Sequence, residues 1–135
     1  MARRTVADVM TRQVVYLPAE TTIDEAAQAM RDQSIGNVVV TKGPTLSGLV
    51  TDRDIVIRAI AEGLSPTTTT LDVVATHELV MIPETALVEE AVQAMRERSV
   101  RRLLVCDADR NIVGIMSLSD VVLHPDPAAL LTGNA

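Results

Sequence analysis

The sequence predicts a mixed α/β (α+β) fold made of two copies of one β-α-β-β-α unit. Three observations predict it: the chain repeats itself at a nearly fixed displacement, each copy holds one stretch of helical periodicity, and two short apolar runs follow that stretch. Pro18 matches Pro83, 65 places on, and the same step carries Glu25-Ala26 onto Glu90-Ala91, Gln28-Ala29-Met30-Arg31 onto Gln93-Ala94-Met95-Arg96 and Ser34-Ile35 onto Ser99-Val100. Beyond the next turn the step becomes 66, so that Gly48, Thr51 and Asp54 meet Gly114, Ser117 and Asp120. One residue has entered the connection, where insertions are tolerated. A shorter echo places Thr5-Val6-Ala7-Asp8-Val9 against Thr69-Thr70-Leu71-Asp72-Val73.

Residues 22–33 put Ile23, Ala26, Ala27 and Met30 at i, i+3, i+4 and i+7, and Val88, Ala91, Val92 and Met95 repeat the pattern. Each is an amphipathic helix. Thr22 with Glu25 reads as a capping box at the first helix, whereas Leu87 leaves the second start without an evident cap. The strands follow as Val38-Val39-Val40 with Leu46 to Thr51, and Leu103-Leu104-Val105 with Ile112 to Ser117. Turns containing Gly43-Pro44 and Asp109-Arg110-Asn111 join them. The first strand of each pair is apolar throughout, which expects cover on both faces and therefore two copies packed together. The expected boundaries are 1–64 for the first repeat, 65–70 for a connector, 71–124 for the second repeat and 125–135 for a tail.

Between Arg53 and Gly63 runs a helix with a wide apolar face of Ile55, Val56, Ala59 and Ile60, an excess that core packing within the chain or subunit association would use, and a homodimer is the expectation. Its counterpart, Ser119 to His124, stops at Pro125. The lone Cys106 lies in an apolar run and reads as a small buried hydrophobe, as do Met10, Met30, Met81, Met95 and Met116 in their own runs. No apolar stretch reaches the roughly 18 residues of a membrane helix, and no secretory h-region forms after Arg3-Arg4, so a cytoplasmic protein is expected. A formal charge of −6 and a single aromatic residue, Tyr16, argue against nucleic-acid binding, which needs cations for phosphates and aromatic platforms for unpaired bases.

The chemistry is concentrated in two matched stretches, Gly48-Leu49-Val50-Thr51-Asp52-Arg53-Asp54 and Gly114-Ile115-Met116-Ser117-Leu118-Ser119-Asp120. Each sets a hydroxyl residue at the end of a strand and an aspartate three places on, at the start of a helix. That spacing serves a helix cap. It also serves a ligand: backbone N–H groups left free at the helix start would face a phosphate, and the carboxylate beside them would accept both hydroxyls of a ribose. Neither use excludes the other. The carboxylate pairs Asp24-Glu25 and Glu89-Glu90 read as solvated helix faces, and His77 and His124 lack partners at metal-ligand spacing. There is no Walker-type glycine loop, so hydrolysis is not expected and the protein reads as a non-enzyme.

The duplicated Gly-apolar-apolar-Thr/Ser-x-x-Asp motif within a β-α-β-β-α repeat resembles the CBS domain in tandem, a Bateman module, from about Thr5 to about Leu123. The run Leu49 to Arg58 is similar to short stand-alone bacterial CBS pairs of the hypoxic response protein type. The resemblance implies two repeats packed with pseudo-twofold symmetry and binding of AMP, ADP, ATP or S-adenosylmethionine in clefts between them, with no metal and no resident cofactor. Carried over, Thr51 and Asp54 form one ribose site and Ser117 and Asp120 the other. Arg102 falls at the family's phosphate-contacting position, where the first copy has Asn37, so unequal sites are implied. Two functions follow as expectations: a nucleotide-sensing regulatory module that signals to an unidentified protein partner, or a dimeric scaffold that keeps the fold without the ligand.

Overall fold

The computed structural model describes residues 3–123; the expected tail, His124 and Pro125 lie outside them. In chain order the elements are α1 (Val6–Val9), β1 (Tyr16–Pro18), α2 (Ile23–Gln33), β2 (Asn37–Lys42), β3 (Thr45–Thr51) and α3 (Asp52–Asp54), which continues as a π-helical segment, Ile55–Ile60. Then come α4 (Leu71–Val74), β4 (Met81–Pro83), α5 (Val88–Arg98), β5 (Arg102–Cys106), β6 (Ile112–Ser117) and α6 (Leu118–Leu123). The fold is mixed α and β, as the repeat predicts. Two three-stranded sheets form, β1-β2-β3 and β4-β5-β6, each with one parallel and one antiparallel pairing.

The packing units are cut differently from the sequence repeats. One compact unit is residues 14–79, and the other joins residues 3–13 to residues 80–123. Hydrogen bonds show why. In the first unit the Ile23 N–H donates to Thr69 O and the Asp24 N–H to Pro66 O, so the connector supplies the acceptors for the start of α2. The Thr22 hydroxyl is thereby released from capping: it faces two acceptors, Asp24 Oδ1 at 2.5 Å and Glu25 Oε1 at 2.8 Å, and the expected capping box is not made. In the second unit the Val88 N–H donates to Arg4 O, and the reaching-back bond absent from α2 is present in α5, where the Leu87 N–H donates to Glu90 Oε1 at 2.9 Å.

These bonds also correct the register of the echo. Thr5 pairs with Leu87 and Thr70 pairs with Thr22, so Thr5 corresponds to Thr70, not to Thr69, and the step is 65 here as well. Backbone angles agree, with φ of −98° at Thr5 and −97° at Thr70, each preceding one helical turn. Sequence comparison misplaces the echo because Asp8-Val9 matches Asp72-Val73 at a step of 64, and the neighbouring Thr69 and Thr70 allow either register.

Each unit has its own core. In the first, Ile23, Ala26 and Met30 of α2 meet Val38, Val40 and Val50 of the sheet and Leu71 and Val74 of α4. In the second, Val88, Ala91 and Met95 of α5 meet Leu103, Val105 and Met116, and α1 contributes Val6 and Val9. Val39 and Leu104 are buried too, so both faces of β2 and β5 are covered, as their unbroken apolar runs expect. Cys106 is buried, with its thiol 3.6 Å from Ile82 O, and four of the five methionines placed in apolar runs are buried; Met81 is half-buried. The β2–β3 ladder shifts register between Val40 and Thr41 and the β5–β6 ladder between Val105 and Cys106, so even the irregularity is duplicated.

The wide apolar helix face resolves into two sides. Ile55 and Ala59 pack inward, while Val56, Ile57 and Ile60 are 54%, 48% and 53% exposed, so the outward face is not the Ile55-Val56-Ala59-Ile60 set expected from α-helical spacing. The reason is the wider turn: the Ala61 N–H reaches back five residues to Val56 O at 2.8 Å. Gly63, at φ +74°, ends the segment as expected. Asn111 closes the β5–β6 turn through Asp107, whose Oδ1 accepts the Asp109 and Asn111 N–H groups at 2.9 Å. Bonding to the Asn111 N–H chiefly holds the Asp107 carboxyl below its usual range.

Both long helices end on a serine in the left-handed region, Ser34 and Ser99, each at φ 54°. Ile35 and Val100 then donate to Met30 O and Met95 O, closing the same C-terminal motif twice. A side chain in that region costs roughly 1–2 kcal/mol, which glycine avoids at the expense of greater freedom when unfolded. Ser34→Gly and Ser99→Gly should therefore each stabilise the protein by roughly 0.5–1 kcal/mol. Urea denaturation checks this; a lower midpoint in either variant would contradict the cap described.

Candidate functional site

The two motif copies build the same junction. In the first unit β3 runs into α3 at Thr51, and the Asp54 carboxylate turns back so that its Oδ2 accepts the Thr51 N–H at 2.9 Å. The Asp54 N–H in turn donates to Thr51 Oγ1 at 3.0 Å. In the second unit the Ser117 N–H donates to Asp120 Oδ2 at 2.8 Å. The Ser117 hydroxyl, however, pairs with Ser119 Oγ at 2.7 Å. Among the described residues Thr51 and Asp120 are the buried polar ones, while Asp54 and Ser117 are partly exposed, so the two junctions bury opposite members of the pair. Capping is thus a real part of what these residues do: the Thr51 hydroxyl accepts a helix N–H, a bond that contributes typically about 1 kcal/mol, and both aspartates reach back to the strand end.

That geometry corrects one expectation. The first turn of α3 offers no free N–H for a phosphate: Asp52 N–H donates to Gly36 O, Arg53 N–H to Asp52 Oδ1 and Asp54 N–H to Thr51 Oγ1. In the second unit the Leu118 N–H likewise donates to Arg101 O. A phosphate at the first junction would have to find its donors elsewhere. What remains open at both junctions is the acceptor capacity of the carboxylates, which suits hydroxyl groups.

The ladder sets the residue opposite each hydroxyl. Asn37 pairs with Thr51, and Arg102 pairs with Ser117. All six residues singled out from the sequence therefore fall at two equivalent places, Asn37, Thr51 and Asp54 in one unit and Arg102, Ser117 and Asp120 in the other. The two differ in charge. Arg102 carries a buried Nε with no hydrogen-bond partner, and an unmet donor of this kind costs roughly 1–3 kcal/mol until something accepts from it. The first junction has a cation that sequence reasoning missed: Arg58 Nε lies 3.7 Å from Asp54 Oδ1, and its Nη1 donates to Val74 O at 3.2 Å. The i,i+4 spacing of Asp54 and Arg58 was the available signal.

The motif glycines have a structural cause that the ligand reading did not supply. A Cβ on Gly114 would stand 2.9 Å from Thr11 O and 2.6 Å from Met10 Sδ, and one on Gly48 would stand 3.0 Å from Thr76 O and from the Ala75 Cβ. Backbone crosses the strand closely at both places. His77, an exposed residue as expected, has Nδ1 2.8 Å from Ser47 O and Nε2 3.3 Å from Asp72 O. Arg12, its counterpart, donates to Ala7 O at 3.2 Å. Among the described residues no three His, Cys, Asp or Glu side chains cluster as metal ligands would.

With this duplicated junction in view, comparison with known proteins is decisive: the CBS domain family matches residues 6–60 and again residues 71–125. The chain belongs to the CBS domain family. It is a CBS pair, the architecture of a regulatory module. The CBS domain-containing protein YhcV of Bacillus subtilis is 37% identical over 119 residues, which are 88% of this chain and 84% of that one. Hypoxic response protein 1 of Mycobacterium tuberculosis is 35% identical over 121 residues, 89% of this chain and 84% of that one. A crystal structure of Hypoxic Response Protein I, with two coordinated zinc ions, superposes with a TM-score of 0.67 at 34% identity, covering 90% of this chain and 98% of that one. The CBS domain protein PAE2072 from Pyrobaculum aerophilum, complexed with AMP, has a TM-score of 0.76 at 25% identity, over 98% of this chain and all of that one. Among the described residues no helix of this CBS pair is long and apolar enough to cross a membrane.

Proposed function

We propose that this CBS pair is a non-enzymatic, cytoplasmic ligand-sensing module that binds an adenine nucleotide, AMP, ADP or ATP, or S-adenosylmethionine, and passes the change to a protein partner. The observation that carries the reading is Arg102: a buried guanidinium nitrogen without a partner stands beside Ser117, whose N–H is held by Asp120. A carboxylate with acceptor capacity on one side of Ser117 and, across the ladder from Ser117, an arginine with an unmet donor are the groups that a ribose phosphate needs. The complex of PAE2072 with AMP supports the choice of ligand. In this reading the ribose hydroxyls go to Asp120 at one site and Asp54 at the other, Ser117 and Thr51 border the sugar, and Arg102 holds the phosphate where Asn37 offers only an amide.

The two sites are unequal in consequence. A charge-assisted contact contributes roughly 1.5–3 kcal/mol, about ten- to a hundredfold in affinity. Calorimetry with AMP should show the tighter step lost in Asp120→Ala and in Arg102→Ala and kept in Asp54→Ala, with adenosine indifferent to Arg102→Ala. Loss of the tight step in Asp54→Ala instead would place it in the first unit and overturn this reading. A second reading, a nucleotide-independent scaffold, draws on the first junction, where Thr51 and Asp54 already satisfy each other. It expects no binding step for any of these ligands at millimolar concentration.

The same module is proposed to be a homodimer, because Val56, Ile57 and Ile60 leave three aliphatic side chains about half exposed on one short segment. Light scattering at micromolar concentration should give twice the chain mass for the parent protein and the single-chain mass for Ile60→Glu. A parent protein of single-chain mass would overturn the dimer.

A further inference from the structure

Each junction is approached by a chain segment that comes from the far side of the sequence repeat. In the second unit, residues 3–13 lie along β6: Thr11 N–H donates to Ile115 O and Ile115 N–H to Thr11 O, both at 2.9 Å, two residues before Ser117. Val6 N–H donates to Ala86 O, and Val6, Val9 and Met10 are buried in that unit's core. In the first unit, residues 65–77 do the same along β3: Thr76 and Leu49 exchange both backbone bonds at 3.0 Å, two residues before Thr51, and Leu71, Val74 and Ala75 enter the core. A Cβ at Gly114 would collide with the segment above it, and one at Gly48 would press tightly on the other, so glycine suits both places. Arg58, by donating to Val74 O while facing Asp54, ties the second of these segments to the junction itself.

We infer that the chain is cross-wired: the segment preceding the first repeat governs the Ser117/Asp120 junction of the second, and the segment preceding the second repeat governs the Thr51/Asp54 junction of the first. Each segment is a strap whose seating fixes the strand end that presents the hydroxyl residue and orients the carboxylate behind it. An event on residues 3–13, such as a partner taking hold of them, would therefore be felt at the site carrying Arg102 and not at the site that follows them in the chain. This control goes beyond the proposed ligand. It is a property of the folded chain with or without nucleotide.

Amide exchange of the 135-residue chain without ligand tests it. Thr11→Pro and Thr76→Pro each delete one strap N–H, and the preceding residues, Met10 at ψ 156° and Ala75 at ψ 146°, already have the extended backbone that proline demands of its neighbour. Under conditions of local opening, Thr11→Pro should speed exchange at Ser117 roughly tenfold and at Thr51 less than about twofold, and Thr76→Pro should do the reverse. Equal acceleration at both junctions, or acceleration of Thr51 by Thr11→Pro, would overturn the proposal. Should either proline variant not fold, Gly114→Ala and Gly48→Ala lift the same straps from below and must show the same selectivity. Because no nucleotide is added, the outcome does not depend on whether Arg102 meets a phosphate.

Discussion

The structure depends on a close crossing of backbone over glycine. At Gly114 and Gly48 a one-turn helix and the residues after it lie directly on the last strand of the sheet, exchanging two hydrogen bonds with Ile115 or Leu49. That crossing brings the small helix's apolar residues into the core, closes the N-terminal end of the long helix, and fixes the strand end from which the hydroxyl and carboxylate project. A methyl group at either glycine would meet backbone oxygen at 3.0 Å or less, so the motif's first residue is set by packing before any ligand is considered. Neither glycine has a positive φ, which leaves contact as the reason for glycine at both places.

On that frame the two aspartates carry a double load. Each caps a helix by accepting a strand-end N–H, and each keeps acceptor capacity that a ribose could use. The surroundings then separate the two copies. Asp54 faces Arg58, which is already occupied with Val74 O, while Arg102 beside Ser117 has a buried nitrogen that nothing in the described chain satisfies. A buried donor in that condition costs the protein stability until something accepts from it, so Asn37 and Arg102 make the two junctions differ in hydrogen-bond demand as well as in charge.

Much of this was legible in the sequence because it is periodic or local. Helical spacing located α2 and α5, unbroken apolar runs located β2 and β5, and the duplicated Thr/Ser-x-x-Asp located both junctions, whereas Asn37 and Arg102 came from the family resemblance and not from spacing. What escaped is non-local. The threonine connector reads as a linker, yet Pro66 and Thr69 accept the first N–H groups of α2, and no composition signal reports a carbonyl's partner. The attachment of residues 3–13 to the second repeat likewise leaves no trace in spacing, since a repeat looks the same whichever copy of a segment it packs with. The π-helical turn after Asp54 shifted the exposed face from the α-helical expectation, because periodicity assumes 3.6 residues per turn.

The central claim is that an adenine nucleotide engages Arg102 through its phosphate at the Ser117/Asp120 junction. The most direct measurement is an NMR titration of the unsubstituted chain with AMP and, separately, adenosine, following the Arg102 Nε–H resonance together with the Ser117, Asp120, Thr51 and Asp54 amides. The account predicts that AMP moves the Arg102 resonance and saturates Ser117 and Asp120 before Thr51 and Asp54, while adenosine leaves Arg102 in place. An Arg102 resonance unmoved when AMP has saturated the protein would contradict it.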